Sequence, residues 1–459
     1  MCKSNIRIMS GLIQFLEQAN KKRENYCEKK GDFTKSKKLT FLHVILFIIN
    51  MPRKTLSIEL EDFYKTIKEP CFEVGKSAFS QARKKLKFDF FIAWNDNLNN
   101  LYYSDNKLNI KKWRGFKLFA VDGSTINLPE RKDVKSYFGQ LKNQYGGVAM
   151  GRIFCRYDVL NKIAVHTILG NIHTSEKDMA IQRLDEVGTD VINIYDRHYM
   201  SYEFAFLHLQ YKTEFVIRCK LGFSNVVKEF VKSSKNSDII ELKATSKAIK
   251  NLRARNFSIE QINKNTKIRV LPIAIGIVKV FLDNGELEVL CTSLIDEKEY
   301  PTFCFKQLYG KRWGIETYYD IIKNRFQIEL FSGQTIHAIL QDFHATIFMS
   351  NIQSLITMEC EAKLVVLNKR RTTHDYKINT NVSVGRMKNT VILIFIFGFK
   401  EILTEEQKIN HITQAIEKLS TRFLKNIIPI RAKRKTKRTK RKRNQRGKYR
   451  TLKNYRKAI

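Results

Sequence analysis

Tyr309, Arg312, Glu316 and Lys323 follow the spacing Tyr-x2-Arg-x3-Glu-x6-Lys. On a helix turning about 100° per residue, all four fall within one stripe. That stripe would be about 21 Å long at a rise of about 1.5 Å per residue. A carboxylate flanked by two cations and a phenol suits gripping a phosphate strand beside a metal ion. An exposed helix with an Arg312–Glu316 pair at i,i+4, a contact of about 0.3–0.5 kcal/mol, fits the same spacing.

Two further acids bear on that choice. Asp122 follows the apolar run 116–121 and precedes Gly123, Ser124 and Thr125. Asp196 follows the apolar run 191–195. Functional groups gather at strand ends in α/β sheets. An Asp just past a strand is also a common turn former, and for either Asp alone that explanation suffices. Taken together, three carboxylates supply hard oxygen ligands for Mg²⁺. Two such ions about 3.5–4 Å apart can activate an attacking oxygen and stabilise a leaving one. In that arrangement Asp122 bridges both ions, and Asp196 and Glu316 each complete one.

The elements that must position these acids are legible as patterns. Residues 1–105 read as helical, in pieces at 11–16, 41–50, 60–67 and 77–86. The last piece has a good N-cap and a basic end; it fits a helix lying on DNA as well as an ordinary surface helix. Strands are expected at 116–121, 152–159 and 163–169, then a helix at 175–186 with Ser175 as cap. A strand at 191–195, a helix at 202–210 and a strand at 214–218 follow. That order is the order of the ribonuclease-H-like α/β core. A β-rich insertion is expected at 223–298, with strands at 268–281 and 286–294 joined through Asp283-Asn-Gly-Glu286, a strong hairpin signal. Helix returns at 303–358 and again at 404–423. The domain reading is therefore an N-terminal helical, DNA-binding unit (1–108), two core parts (109–222 and 299–365) around the insertion, a C-terminal helical region (366–430) and a basic tail (431–459).

Composition narrows the partner. With 43% hydrophobic residues the chain can build real cores. Its formal net charge of +38 implies a polyanion, nucleic acid before an anionic membrane surface. Residues 431–459 hold 16 Lys or Arg and no Asp or Glu. The rest of the chain still carries about +22, as expected for a long phosphate footprint. The tail reads as disordered and as a source of non-specific DNA affinity. The eight cysteines (2, 27, 71, 155, 219, 291, 304 and 360) form no CxxC pair and read as small buried hydrophobes in a reducing cytosol. The apolar runs 41–51 and 391–399 fall short of the roughly 20 residues that span a bilayer and read as core. No signal-peptide pattern opens the sequence.

These residues resemble the DDE transposases of the insertion-sequence-four group. That family carries its first Asp before Gly and Ser or Thr, here Ala120-Val-Asp-Gly-Ser-Thr-Ile-Asn-Leu-Pro129. Its second Asp lies in Asp-Arg-x-Tyr-x-Ser, here Asp196-Arg-His-Tyr-Met-Ser201, with His198 where the family has a small residue. Its third acid lies in Tyr-x2-Arg-x3-Glu-x6-Lys, matched at Tyr309, Arg312, Glu316 and Lys323. A β-rich insertion between the second and third acids also fits the family, as does a downstream helix at 342–351. The resemblance covers about residues 40–360.

It implies catalysis by Asp122, Asp196 and Glu316, holding two Mg²⁺ ions that Mn²⁺ can replace. It implies DNA contacts from Tyr309, Arg312 and Lys323. The implied activity is cut-and-paste transposition at terminal inverted repeats, by a dimer on double-stranded DNA, both element ends and target. The expected setting is the bacterial cytoplasm, on the nucleoid, with no membrane partner. The alternative is a transposase-derived DNA-binding protein that no longer cuts. Other residues have blander readings: His173 and His198 as surface polar groups, Ser124 and Thr125 as phosphate contacts or turn caps, and Trp94, Trp113 and Trp313 as packing residues.

Overall fold

The computed structural model describes residues 2–35, 38–52, 54–68, 74–104, 110–143, 146–257, 272–368, 374–400 and 402–430. Cys71, residues 258–271 (with the first four positions of the strand expected at 268–281) and the basic tail lie outside the described residues.

The N-terminal quarter is helical: α1 (Cys2–Lys21), α2 (Phe41–Ile49), α3 (Leu56–Ile67), α4 (Lys76–Arg83) and α5 (Asp89–Ser104). Thr40 starts α2 with a capping box, its hydroxyl accepting from the His43 N–H while the His43 ring accepts from the Thr40 N–H. After it every residue but Leu42 is buried, so the apolar run there is core. In α4 the basic end turns inward. Arg83 is buried and donates to Gln341, Ser332, the Ala338 carbonyl and Asp342. That arginine is a structural tie and not part of an exposed basic face.

The central part is α/β. In chain order come β1 (Lys117–Asn127), α6 (Lys132–Phe138), β2 (Gln140–Asn143), β3 (Gly146–Asp158), β4 (Ile163–Asn171), α7 (Glu176–Ile181), β5 (Val191–Tyr195), α8 (Tyr202–Gln210) and β6 (Glu214–Cys219). Then follow α9 (Asn225–Lys232), β7 (Ser237–Leu242), α10 (Ser246–Ala254), β8 (Ile273–Phe281) and β9 (Leu287–Thr292). One mixed sheet of nine strands runs β2-β3-β1-β5-β6-β9-β8-β7, with β4 on the far side of β3. β3 is antiparallel to β1, β5 is parallel to β1, and β6 is parallel to β5. The strands from 223–298 extend this same sheet through the antiparallel β6–β9 pairing. At the β8–β9 turn the Leu282 N–H donates to the Glu286 carbonyl, and Gly285 takes the left-handed conformation that the Asn-Gly signal anticipates.

The remainder is helical: α11 (Thr302–Gly310), α12 (Trp313–Asp320), a π turn (Ile321–Arg325), α13 (Ile336–Asn368), then after a short strand β10 (Tyr376–Ile378) the helices α14 (Thr380–Met387), α15 (Thr390–Gly398) and α16 (Glu405–Lys425), and β11 (Ile427–Pro429). α13 runs about 50 Å at about 1.5 Å per residue and is buried along most of its length. It joins the helices to the sheet. Trp94 of α5 stacks on Phe348 at 4.1 Å, and its indole N–H donates to the Leu12 carbonyl. α1, α2, α5, α13, α15 and α16 share one apolar core. Among the described residues no helix is long and apolar enough to cross a membrane. The six described cysteines with placed side chains are buried and free.

Alternation along β1 and β5 fixes which way each side chain points. Phe119, Val121 and Tyr195 join the core under α7 and α8. Leu118, Ala120, Ile192 and Ile194 join the cores under α11, α12 and α13. Residues 122 and 196 are in phase with the second set.

Candidate active site

Asp122 and Asp196 stand side by side at the carboxyl end of the parallel pair β1–β5. Its last register match is Val121 with Tyr195. The sequence suggests that the strand stops before Asp122. In fact β1 leaves only β5 there and stays paired with β3 through Asn127. Ser124 and Thr125 are therefore strand residues, not turn caps. Asp122 accepts from the Gly123 N–H at 2.8 Å. Asp196 accepts from the His198 N–H at 2.8 Å and pairs with the His198 Nδ1 at 2.9 Å. His198 thus orients Asp196, a closer role than a plain surface residue.

Burial pushes the Asp122 carboxyl up to about 6, and the charges of Asp196 and Glu176 push the same way; the Gly123 N–H and Arg312 offset part of this. A half-buried carboxylate with two acidic neighbours is costly to ionise unless positive charge is supplied.

The helix side brings that charge. The expected single helical stripe from Tyr309 to Lys323 is broken twice. α11 ends at Gly310, Lys311 and Arg312 form a turn, and α12 begins at Trp313. The chain then widens into the π turn that carries Lys323. Gly310 and Gly314 bracket the first break, and a Cβ at Gly314 would press on Val159. The four motif residues still converge on the end of β1. The Arg312 guanidinium is 3.0 Å from Glu316 and 3.8 Å from Asp122. It also lies over the rings of Trp313 and Tyr309. Lys323 donates to the Ser124 hydroxyl at 2.6 Å and to the Thr125 carbonyl at 2.9 Å. Burial raises the Tyr309 phenol far above its ordinary range.

Asp122 and Glu316 therefore sit on two sides of one guanidinium, with Asp196 beside Asp122. Among the described residues no three His, Cys, Asp or Glu side chains are already gathered as a metal cluster. The donor set nevertheless fits a hard divalent cation: all three candidates are carboxylates, and Asp122 is half-buried among like charges. Glu316 is the most exposed of the three, at 43% against 20% for Asp122.

Several contributors were not singled out from sequence. The Tyr319 hydroxyl donates to the Asp122 carbonyl at 2.7 Å. Its position three residues after Glu316 puts it on the same helix face, a signal that helical phase offers. Glu176 and Arg152 form an ion pair behind Gly123. Ser175 precedes α7 without a side-chain cap, and α7 stops at Ile181, short of the expected 186, where Gln182 leaves the helical conformation and Arg183 turns left-handed. His173 borders the same groove as Glu176 and His198. Of the tryptophans, Trp94 is core and Trp113 is half-buried against Tyr300, but Trp313 is 60% exposed and is not a packing residue.

Residues 113–352, just over half of the chain, match the family model described as a transposase DDE domain. A transposase of Escherichia coli K12, InsG for insertion sequence element IS4, is 22% identical over 259 residues, covering 55% of this chain and 54% of that protein. The chain thus spans about half the length of this curated relative. A piggyBac transposase, solved as a synaptic complex with hairpin DNA, matches at a TM-score of 0.41 and 10% identity, over 90% of this chain and 84% of that one.

Proposed function

The chain belongs to the transposase DDE-domain family, and on that footing we propose that it cuts and joins DNA at the terminal inverted repeats of an insertion sequence of the insertion-sequence-four type. Asp122, Asp196 and Glu316 are the catalytic acids and the ligands of two divalent cations, Mg²⁺ or in its place Mn²⁺. The observation that carries the reading is the pairing of Asp122 and Asp196 at adjacent parallel strand ends, with Arg312 linking Asp122 to Glu316. The strand order β4-β3-β1-β5-β6 and its directions support a ribonuclease-H-like core.

A divalent cation at such a site supplies charge for the scissile phosphate and for the attacking hydroxyl. The protein's own groups do the rest. Asp122 and Asp196 are fixed by Gly123 and His198, so they need little rearrangement. Arg312, released from Glu316, meets a DNA phosphate with its planar fork. Lys323 holds the strand over Ser124, and Tyr309 places the sugar-phosphate backbone. Water attacks the phosphorus at the element end, the P–O3′ bond breaks, and a 3′-hydroxyl is freed. That hydroxyl attacks a phosphodiester of the opposite strand and closes a hairpin, as the P–O3′ bond there breaks and the flanking DNA leaves with a free 3′-hydroxyl. A second water opens the hairpin and restores the 3′-hydroxyl, which then attacks a target phosphodiester and expels a target 3′-hydroxyl. Residues 1–108 and the basic tail add DNA affinity, and two copies hold the paired ends, in the bacterial cytoplasm on the nucleoid.

The test uses the full chain, Mg²⁺ and DNA ending in the element's inverted repeats. Asp122→Asn, Asp196→Asn and Glu316→Gln should each lower cutting by at least on the order of 10²–10³-fold with DNA binding kept. Wild-type cutting by any of the three overturns the assignment. Cutting with no joined product from paired ends points to a nuclease, and binding without any cutting to a transposase-derived DNA-binding protein.

A further inference from the structure

We propose that Glu176 is a positioning residue of this centre, a fourth acid that lies behind Asp122 and strengthens divalent-cation binding at Asp122 and Asp196. The inference rests on the cation-binding reading of those two aspartates.

Three observations lead to it. The first is the seat of the side chain. Gly123 is out of phase with Asp122 and points to the α7 face, where a Cβ would collide with the Glu176 carboxylate. That carboxylate cannot easily swing aside, because Arg152 holds it in an ion pair. Arg152 is itself fixed by donating twice to the Ile172 carbonyl, at 3.1 and 2.9 Å. A glycine after Asp122 is thus what lets an acid reach the back of the strand.

The second is a buried hydroxyl. Tyr199 is fully buried, and its hydroxyl has no hydrogen-bond partner among the described residues. The carboxylates acting on it are Glu176, Asp122 and Asp196, in that order. Its ring belongs to the apolar core under α7 and α8, and the hydroxyl is left as a buried donor on which the three acids act.

The third is polarity. Arg152 and Glu176 cancel in net charge, but the negative end abuts Gly123 and the positive end is tied back at Ile172. The negative end is therefore the one that faces the Asp122 strand end, and a divalent cation held there gains from it; partial burial limits screening of that interaction by salt. Neutralising Glu176 would remove the negative end, while Arg152 keeps its two bonds to the Ile172 carbonyl.

The experiment is Mn²⁺ binding to the full chain without DNA, by titration calorimetry, alongside the melting temperature without metal. Glu176→Gln keeps an acceptor for Arg152 and should melt close to wild type while Mn²⁺ affinity falls about tenfold. Glu176→Asp keeps the charge and should lose clearly less affinity than Glu176→Gln. An unchanged Mn²⁺ affinity in Glu176→Gln overturns the proposal, as does an equal loss in both variants, since charge would then not be the cause. Asp122→Asn separates this failure from that of the underlying reading. If wild type binds Mn²⁺ no better than Asp122→Asn, the cation site itself falls and Glu176's role with it. If wild type binds better and Glu176→Gln matches wild type, only the role of Glu176 falls.

Discussion

Asp122 lies between two arginine–glutamate pairs, one on each face of the sheet. On the face of α12, Arg312 and Glu316 belong to one stretch of chain and pair at 3.0 Å. Glu316 is 43% exposed there, and Arg312 reaches Asp122 as well. On the face of α7, Arg152 comes from β3 and Glu176 from the helix after β4, and Glu176 is 28% exposed. Here the arginine is bound to a backbone carbonyl and only the carboxylate approaches the aspartate. The first pair presents a cation to Asp122, the second an anion. In the first pair the exposed partner is Glu316, so that pair is the one a substrate can open. The second is tied on both sides and sets the field. Under the proposed function, a site that binds metal and DNA in turn uses both a movable counter-charge and a fixed background.

The largest effect expected from this arrangement concerns Asp122 without metal. Its carboxyl is pushed up to about 6 by burial first and then by acidic neighbours, against an ordinary value of 3.8. An acid whose folded value is raised binds its proton more tightly when folded, so the folded state loses stability as pH climbs from 3.8 to 6. Above that window the loss is complete; below 3.8 it is absent. Asp122→Asn should therefore be more stable than wild type by about 2–3 kcal/mol at pH 8 in chelator. The gain should vanish below about pH 4. Chemical denaturation at the two pH values measures it. Equal stability at pH 8 means that Arg312 already compensates Asp122 in full, and the two pairs then do not act in opposite senses.

The same contrast explains what the sequence could disclose. Glu316 was legible because Arg312 and Lys323 flank it at fixed spacing in one segment. Asp122 and Asp196 were legible because each follows an apolar run, and the runs at 191–195 and 202–210 match β5 and α8 to the residue. Glu176 was not legible, because Arg152 lies 24 positions away and only the pleat of β3 aims it at α7. The reach of β1 past Asp122 was hidden for a related reason. Gly123, Ser124 and Thr125 look like a turn, and only pairing with Phe154, Ile153 and Arg152 holds them extended. The break at Lys311 and Arg312 escaped notice because both are good helix formers, while Gly310 and Gly314 on either side carry the local cost. The inward turn of Arg83 was equally hidden, since its four partners lie some 250 residues downstream.

A second way to sharpen the comparison is to truncate each arginine. Arg152→Ala removes two bonds to the Ile172 carbonyl and leaves the Glu176 carboxylate against the strand unpaired. It should cost about 2 kcal/mol of stability. Arg312→Ala removes the bond to a half-exposed Glu316 and the 3.8 Å ion pair with Asp122, but it also removes a buried Nε that has no partner among the described residues. It should cost about 1 kcal/mol or less. For cutting the order should reverse, with Arg312→Ala the more damaging. Thermal melts and cleavage rates on the two variants settle both orders. An Arg312→Ala protein that is less stable than Arg152→Ala would mean that the helix-side pair is the fixed one.

The smallest effect lies in Tyr199. Its ring is packed against Tyr195 and Phe204, with centroids 4.9 and 5.6 Å apart. Phenylalanine keeps those contacts. What it removes is a buried hydroxyl with no hydrogen-bond partner among the described residues, whose burial is a net cost. Tyr199→Phe should therefore raise stability by about 1 kcal/mol in the absence of metal. If the hydroxyl serves the carboxylates once a cation binds, the same variant should gain less stabilisation from Mn²⁺ than wild type does. Stability would then have been given up for the site, as is common where function needs an uncomfortable group. Melts with chelator and with Mn²⁺ separate the two contributions. A Tyr199→Phe protein that is less stable than wild type in chelator would show that the hydroxyl is already satisfied, and the α7 face would lose its unpartnered donor.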